Sequence, residues 1–373
     1  MIRIGVLGAS GQVGTEVCLF LTTYADVHPV GLVRTYVSGA LLRRFGVDVR
    51  VGTLSDQHRC KALLGDCDLV VDFSVNTGEV TDIKTHYQQN ITRALDGTHG
   101  QARYVFISTI NAFGMSTRLN RAKHYILPHS TYAHTKRYAE RLTMRLGRQL
   151  GRETYVFRLG HVHGLLQRVS EETRQLVRCK YRRFEYPDTP SYTIFCHTIA
   201  EGLVQVARGR ERPGIYTLIS EPPWTWREVL EYYARPDESI QVDLRPVERP
   251  GWIPRLASAA RRQVVHYASD YRETLRTNIL RYAPSLERRA AASIYIQRAQ
   301  KQIEEFERLH VYRPLNIHEG VFPGPRLSAI SDSRVSMAAT ADQVRKLLNR
   351  LPAWNADDEM AYITRGQEDF DAV

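Results

Sequence analysis

The chain has 373 residues, 43% hydrophobic and 24% charged, and its formal net charge at neutral pH is +11. This is the composition of a globular protein with one large or two ordinary domains. No apolar run approaches the roughly 20 residues of a membrane span, and no membrane association is expected. A core strand is predicted from Ile2, without a signal peptide ahead of it, and the five cysteines form no CxxC pair. We therefore expect a cytoplasmic protein with reduced thiols.

The positive charge is concentrated in two arginine-rich stretches, residues 174–183 and 255–281. For most of these residues a solvated helix face is one interpretation. The other is recognition of a diphosphate, because arginine guanidinium groups match phosphate oxygens. Nucleic acid is not an expected partner, because no helix-turn-helix, zinc or RNA-binding motif accompanies the charge.

The first predicted elements are a strand at Ile2–Leu7, the turn GASGQVG at residues 8–14, and a helix from Thr15 to Leu21. A strand, a glycine turn and a helix in this order place a pyrophosphate at the helix N-terminus. The GxxGxxG spacing differs from the dehydrogenase GxGxxG, and three glycines can also serve the backbone alone. We assign cofactor binding in this turn to Gly8, Ser10, Gly11, Gln12, Val13 and Gly14.

The second predicted strand, Val27–Arg34, ends in a cation, and no Asp or Glu follows it. In dinucleotide-binding folds an acidic residue here selects the ribose 2′-hydroxyl, whereas a cation accommodates a 2′-phosphate. Arg34 therefore favours NADP over NAD. An arginine that only caps the strand in solvent is the alternative.

Three more strands are predicted at Val47–Val51, Asp68–Val75 and Ala102–Thr109, separated by a helix that ends at Leu64 and by a helix at His86–Leu95. Strands that alternate with helices at this spacing predict an α/β fold with a Rossmann-type, doubly wound parallel sheet. The fourth strand is apolar apart from Asp72 and Ser74, as a buried parallel strand should be.

A helical stretch at residues 132–140 carries Tyr132 and Lys136 on one face, because they are related as i and i+4. An ammonium near a phenol favours the phenolate and lowers its pKa, so the pair can exchange a proton with a carbinol or ketone. Either Ser108 or Thr109, at the end of the fifth strand, would hold the substrate oxygen. A YxxxK pattern also arises by chance in a chain with 20 tyrosines.

Taken together, these segments resemble the extended short-chain dehydrogenase/reductases, the NAD-dependent epimerase/dehydratase branch. The resemblance runs over roughly residues 1–235 in the family's order. The segments that carry it are GASGQVG, YVFISTINAFG, YAHTKRYAE and RLGHVHG.

The resemblance implies a catalytic role for Thr109, Tyr132 as the acid/base, and Lys136 as the residue that binds the nicotinamide ribose and lowers the tyrosine pKa. It places Asn90 among the residues that organise the cofactor site. Near the adenine, Thr53 replaces the usual Asp, and Leu54 would pack on the ring. The implied chemistry is hydride transfer between the nicotinamide and a substrate carbon.

Several positions depart from the family pattern. Ile110 and Asn111 stand where 4,6-dehydratases carry an Asp-Glu pair, which argues against water elimination; Asn111 remains a candidate substrate contact. His161 replaces an asparagine that contacts the substrate, while His163 and His197 replace an aromatic residue and an aspartate. Each histidine also has a structural interpretation as a hydrogen-bonded loop residue.

The resemblance divides the chain into a dinucleotide-binding domain, residues 1–164 with about 191–219, and a smaller, mostly helical substrate lobe, residues 165–190 with 220–373. In this lobe Arg178, Arg182 and Arg183 would hold the diphosphate of a nucleotide-activated sugar. The long basic helices predicted over residues 252–309 enlarge the lobe in a way that the resemblance does not explain.

The expected protein is an NADP-preferring homodimeric reductase of a nucleotide-linked keto sugar, without a metal. One alternative is a nucleotide-sugar epimerase that retains NAD. Another is a regulatory protein that binds NADP(H) and catalyses nothing, against which the set of Thr109, Tyr132 and Lys136 argues.

Overall fold

The structure, a computed structural model, describes residues 1–54, 57–75, 80–113, 131–164, 166–177, 183–184, 188–220, 223–234 and 311–312. The predicted helices of residues 252–309 lie outside the described residues.

Seven strands form one sheet in which every neighbouring pair is parallel. They are β1 (Ile2–Leu7), β2 (Val27–Val33), β3 (Asp48–Val51), β4 (Leu69–Asp72), β5 (Arg103–Thr109), β6 (Thr154–Leu159) and β10 (Gly214–Leu218). Their order across the sheet is β3-β2-β1-β4-β5-β6-β10. The order reverses between β1 and β4, the position at which doubly wound sheets bind their ligands.

Eight described helices connect or follow these strands. They are α1 (Gln12–Leu21), α2 (Tyr36–Arg44), α3 (Gln57–Leu64), α4 (Val80–Gly97), α5 (Thr131–Leu150), α6 (Arg168–Val177), α7 (Cys196–Ala207) and α8 (Trp226–Tyr233), and a short 3₁₀ helix covers Ile110–Phe113. Two small parallel ladders lie beside the main sheet: β7 (His161–His163) pairs with β9 (Thr193–Phe195), and β8 (Arg183–Phe184) pairs with β11 (Val311–Tyr312).

The sheet has a hydrophobic core on each face, because side chains alternate along its strands. In β5, Val105 and Ile107 point to the core formed with α1, α2 and α7. Tyr104 and Phe106 point to the core formed with α3, α4 and α5. Burial on both faces explains why the strands are apolar almost throughout, and the predicted Rossmann-type sheet is confirmed.

Two element bounds differ from the sequence expectation. Strand β4 ends at Asp72, because its carboxylate accepts a hydrogen bond from the Ser74 main-chain N–H (2.8 Å) and turns the chain. Helix α4 begins at Val80, six residues before the predicted start at His86. Its first two turns are mostly polar, so hydrophobic periodicity does not reveal them.

Cys18, Cys60, Cys67 and Cys196 are buried and carry free thiols. None of the helices in the described ranges is both long enough and apolar enough to cross a membrane. Within the same ranges, no group of three or more His, Cys, Asp or Glu side chains is arranged to hold a metal ion.

Candidate active site

The candidate active site lies along one edge of the sheet, because the carboxyl ends of parallel strands meet there. The glycine turn follows β1, Arg34 follows β2, Ser74 follows β4, and Thr109 ends β5. The register pairs Leu7 with Asp72 and Asp72 with Phe106, so β5 extends three residues beyond the ends of β1 and β4, to Thr109, which pairs with Leu159 at the end of β6.

The glycine turn is tightly folded against the start of α1. Gly8 has φ +74°, the left-handed region that favours glycine. A Cβ on Gly14 would lie 2.3 Å from the Gly8 carbonyl oxygen, so only glycine lets the helix approach this closely. The Thr15 hydroxyl donates to the Ala9 carbonyl (2.8 Å) and closes the turn on its other side.

The residues present fit the pyrophosphate of a dinucleotide. Gly11 caps α1 without a side-chain hydrogen bond, and the first turn of the helix holds no acidic residue. Among the described residues, no side chain accepts a hydrogen bond from the N–H groups at the helix start, and the helix dipole favours an anion there. Ser10, Gly11 and Gln12 are exposed, which leaves this end of the helix open to a ligand.

Three further cofactor candidates follow β2 and β3, and a fourth lies on α4. Arg34 is exposed directly after β2, and the next residue, Thr35, caps α2. Thr53 is exposed after β3, and Leu54 is half-buried against the core formed with α3 and α4. Asn90 lies half-buried on α4. The described residues include no carboxylate between β2 and α2, where an adenosine ribose would require one for NAD selection.

Lys136 is buried, with 2% of its surface exposed. Its Nζ donates to the carbonyl oxygens of Ile107 (2.9 Å) and Ser74 (3.3 Å), and it lies 4.7 Å from the centre of the Phe106 ring. Burial lowers the pKa of this ammonium to about 8, although nearby carboxylates oppose the shift. The lysine is therefore mostly cationic at neutral pH, and two of its three N–H groups are held in place.

Tyr132 lies one helical turn before Lys136 and is 42% exposed as a residue. Desolvation of the phenol raises its pKa. The pKa of Tyr132 in this structure is therefore raised, not lowered as expected, and the Lys136 ammonium donates to main-chain carbonyls. Thr109, at the end of β5, is buried, and its Oγ1 accepts a hydrogen bond from the Asn111 N–H (3.2 Å).

A buried network joins β5, β6 and α5 beneath this edge, and the sequence analysis did not identify it. The Glu140 carboxylate accepts two hydrogen bonds from the Arg158 guanidinium (2.8 and 2.6 Å) and one from the Ser108 hydroxyl (2.6 Å). Glu140 follows Lys136 by one turn. Of the two hydroxyl residues at the end of β5, the Ser108 hydroxyl is thus bound to Glu140 below the edge, whereas the Thr109 hydroxyl is not part of this network. The sequence carries one indication of this network: Tyr132, Lys136 and Glu140 follow one another at four-residue intervals and so share one helix face.

In the sequence, Asp72 and Ser74 stand out only as polar residues within an apolar strand. The Asp72 side chain is fully buried, with one oxygen bonded to Ser74 N–H and the other to the Tyr104 hydroxyl (3.0 Å). Ser74 lies directly behind the glycine turn, since a Cβ on Gly8 would be 3.1 Å from the Ser74 nitrogen. The end of β4 therefore connects the glycine turn to Lys136.

The segment after β7 is hydrogen-bonded to α1, and the sequence does not predict this contact either. The Glu16 carboxylate accepts hydrogen bonds from the Leu166 N–H (3.0 Å) and the Gln167 side-chain amide (2.9 Å). Gln167 also donates to the Gln12 carbonyl (3.1 Å). Leu166 and Gln167, which follow β7, are thus held beside the glycine turn.

The three histidines are held in packed surroundings. Burial lowers the pKa of His161 to about 4 and that of His163 to about 3, so both are neutral. The His161 ring lies 5.4 Å from Trp226, and His163 Nδ1 is 2.8 Å from the Tyr233 hydroxyl. His197 is buried edge-on against Phe20, and burial lowers its pKa as well.

The structure does not describe the side chains of the arginines predicted to hold a diphosphate. Arg178 and Arg182 lie outside the described residues, and only the backbone of Arg183 is described, in β8. Asn111 lies half-buried in the 3₁₀ helix after Thr109.

A glycine turn at the switch point of a doubly wound sheet, with a YxxxK helix beside it, defines a dinucleotide-binding fold of the Rossmann type. The model of the NAD-dependent epimerase/dehydratase family matches residues 4–192. The chain belongs to this family, and the predicted resemblance is confirmed.

Solved structures with the same fold include UDP-N-acetylglucosamine 4-epimerase from Bacillus cereus, with a TM-score of 0.51 at 18% identity over 62% of this chain and 81% of that chain. UDP-glucose 4-epimerase from Thermus thermophilus in complex with NAD has a TM-score of 0.47 at 19% identity, over 62% and 82% of the two chains. dTDP-glucose 4,6-dehydratase from Streptomyces venezuelae, with NAD bound, has a TM-score of 0.48 at 18% identity, over 62% and 80%. No curated protein matches the chain.

Proposed function

We propose that this protein reduces the keto group of a nucleotide-activated sugar, with NADPH as the hydride donor. The observation that carries the proposal is the placement of Tyr132, Lys136 and Thr109 along the sheet edge that holds the glycine turn. A protein that only binds a cofactor would have no use for a phenol one helical turn from this ammonium, which two carbonyls hold in place.

The nicotinamide ring, when bound, supplies a hydride to the carbonyl carbon of the substrate. Thr109 would hold the carbonyl oxygen, and Tyr132 would give that oxygen its phenolic proton as the carbinol forms. A raised phenol pKa keeps Tyr132 protonated at neutral pH, which suits a proton donor. Lys136 would stabilise the resulting phenolate by its charge, and solvent would return the proton to Tyr132.

Water elimination is not part of this proposal. Ile110 is buried in a small apolar cluster with Tyr192 and Ile219, and Asn111 carries an amide. Neither residue supplies the carboxylic acid and base that elimination needs.

The cofactor preference rests on Arg34, which is exposed at the end of β2 and would meet a ribose 2′-phosphate. Arg34→Asp should weaken NADPH binding at least about tenfold and strengthen NADH binding, since it exchanges a cation for a ribose hydroxyl acceptor. Fluorescence titration with both cofactors measures the change. Equal effects on the two cofactors would contradict a 2′-phosphate contact.

A nucleotide sugar is proposed because the solved epimerases and the dehydratase act on such substrates by their names, and because the chain is strongly basic. Asn111 and His161 are the described candidates for contact with it, with Arg178, Arg182 and Arg183 for its diphosphate. A cytoplasmic homodimer remains part of the proposal.

The test incubates the protein with NADPH and a panel of nucleotide sugars and their 4-keto derivatives, with products read by NMR. We expect stoichiometric loss of NADPH absorbance and appearance of a reduced sugar. Tyr132→Phe should lower kcat by about 100-fold or more, the scale of general acid catalysis, with NADPH affinity unchanged.

The same experiment separates the alternatives. Interconversion of sugars without net consumption of cofactor would identify an epimerase that retains NAD. NADPH binding without turnover of any substrate, and without an effect of Tyr132→Phe, would identify a regulatory protein and overturn the proposal.

A further inference from the structure

The fully buried carboxylate of Asp72 lies at the end of β4, two residues before the Ser74 carbonyl that holds Lys136. Its two hydrogen-bond partners among the described residues, the Tyr104 hydroxyl and the Ser74 N–H, are both neutral. Among the described residues, no cationic side chain forms a direct ion pair with Asp72. A carboxylate buried in this way is costly unless a nearby positive charge compensates it.

The main chain of Ser74 connects Asp72 to Lys136. Asp72 accepts the Ser74 N–H (2.8 Å), and Lys136 donates to the Ser74 carbonyl oxygen (3.3 Å). The Asp72 carboxylate and the Lys136 ammonium thus bind the N–H and the carbonyl oxygen of the same residue, Ser74. Because Ser74 also packs behind Gly8, this arrangement sets the position of the ammonium relative to the glycine turn.

The other groups around Lys136 compensate its charge less directly. From α5, Glu140 lies one turn away, but its carboxylate is bound by Arg158 of β6 through two hydrogen bonds. From α4, the Tyr87 ring lies 5.4 Å from the ammonium, and from β5 the Phe106 ring lies 4.7 Å away. Tyr132, on the preceding turn, is a neutral phenol.

We propose that Asp72 is a positioning residue for Lys136: its negative charge and its hydrogen bond to Ser74 hold the lysine charged and against the Ser74 carbonyl. Asp72 lies outside the YxxxK helix and contacts neither the ammonium nor the phenol directly. The pKa of Lys136, which burial lowers to about 8, is raised by Asp72 first and by Glu140 second. Loss of the Asp72 charge therefore removes the larger of these two opposing effects.

The test is a direct titration of Lys136 in the full-length protein by NMR, with ¹³C at the lysine ε-carbon. The chain has seven lysines, few enough for resolved signals, and the signal of Lys136 is the one lost in Lys136→Arg. Asp72→Asn keeps the size of the side chain and an oxygen for the Ser74 N–H. We expect it to lower the titration midpoint of Lys136 by about one pH unit.

Tyr104→Phe is the matched control, because it removes a hydrogen bond from Asp72 and leaves the charge. The titration midpoint of Lys136 in this variant should equal that in the wild type. If Asp72→Asn does not fold, the double variant Asp72→Asn/Tyr104→Phe, compared with Tyr104→Phe alone, makes the same measurement. A midpoint that stays in place in the folded Asn variant would overturn the proposal.

The role of Asp72 in turnover rests on the proposed function, but the titration needs neither cofactor nor sugar. With substrate, the alkaline fall of kcat in Asp72→Asn should move to lower pH by the same shift, whereas KM for NADPH stays within about twofold. A lowered Lys136 midpoint in a protein without turnover would refute the proposed function and leave the inference on Asp72 intact.

Discussion

Lys136 is both buried and charged, and at the residue scale this predicts how the proposed reaction depends on pH. Its pKa is lowered from 10.5 to about 8, with burial as the main cause. The ammonium is therefore cationic below pH 8 and loses its proton as the pH rises through that value. Tyr132 shows the opposite tendency, since desolvation raises its pKa and keeps it protonated.

We expect kcat for the reduction to be steady near neutral pH and to fall as the pH rises through about 8, as Lys136 loses the charge that stabilises the phenolate. Steady-state rates at saturating NADPH and substrate, measured across this range, give the profile. A profile with no alkaline fall would show that the charge on Lys136 does not matter for turnover.

At the scale of single elements, the contact between the glycine turn and α1 tolerates no side chain at Gly14. A Cβ there would lie 2.3 Å from the Gly8 carbonyl oxygen, which is backbone and cannot swing aside.

Gly14→Ala should therefore destabilise the protein by about 1–3 kcal/mol, the usual cost of overpacking, and weaken NADPH binding by at least tenfold. Urea unfolding and fluorescence titration measure the two effects. Gly100→Ala is the matched control, because a Cβ at Gly100 would meet no atom within 4 Å. Equal stability of the two variants would contradict the close approach.

The link between α5 and β6 depends on the buried ion pair of Glu140 and Arg158, whose side chains are 2% and 10% exposed. Glu140→Gln replaces the carboxylate that binds the buried guanidinium by a neutral amide and should lower the free energy of unfolding by about 3–5 kcal/mol.

The control for this change is Glu172→Gln, which breaks the exposed pair of Arg168 and Glu172 on α6. We expect a loss below about 0.5 kcal/mol there, because solvent screens an exposed pair. Urea unfolding curves of both variants give the comparison. A loss in Glu140→Gln as small as that in Glu172→Gln would show that the buried pair contributes little to the contact between α5 and the sheet.

At the scale of the whole molecule, both hydrophobic cores of the sheet are formed by residues between Ile4 and Leu218. The last strand of the sheet, β10, pairs with β6, and α7 packs on α1 across one face. The predicted division into a dinucleotide-binding domain and a substrate lobe stays a proposal, and it can be tested.

A chain that ends after residue 234 keeps both cores and α8, so it should fold and bind NADPH with an affinity close to that of the full chain. It should not reduce nucleotide sugars, because most of the proposed substrate lobe is absent. Circular dichroism and fluorescence titration check the first expectation, and the NMR assay checks the second. An unfolded product would show that the remainder of the chain is needed for the sheet itself.

Much of this protein is determined by local sequence. The alternation of apolar strands with helices predicts the parallel sheet, because buried strands must be apolar on both faces. The glycine turn and the YxxxK helix predict the cofactor site and the family, because their chemistry needs particular residues at short, regular spacing.

Only the tertiary structure decides how distant charges meet. Asp72 and Lys136 are 64 residues apart in the chain, and the Ser74 peptide joins them only once β4 lies beside β5 and α5 packs over both. Glu140, Arg158 and Ser108 likewise come together across three elements. The direction of the Tyr132 and Lys136 pKa shifts follows from burial, which spacing along a helix does not reveal.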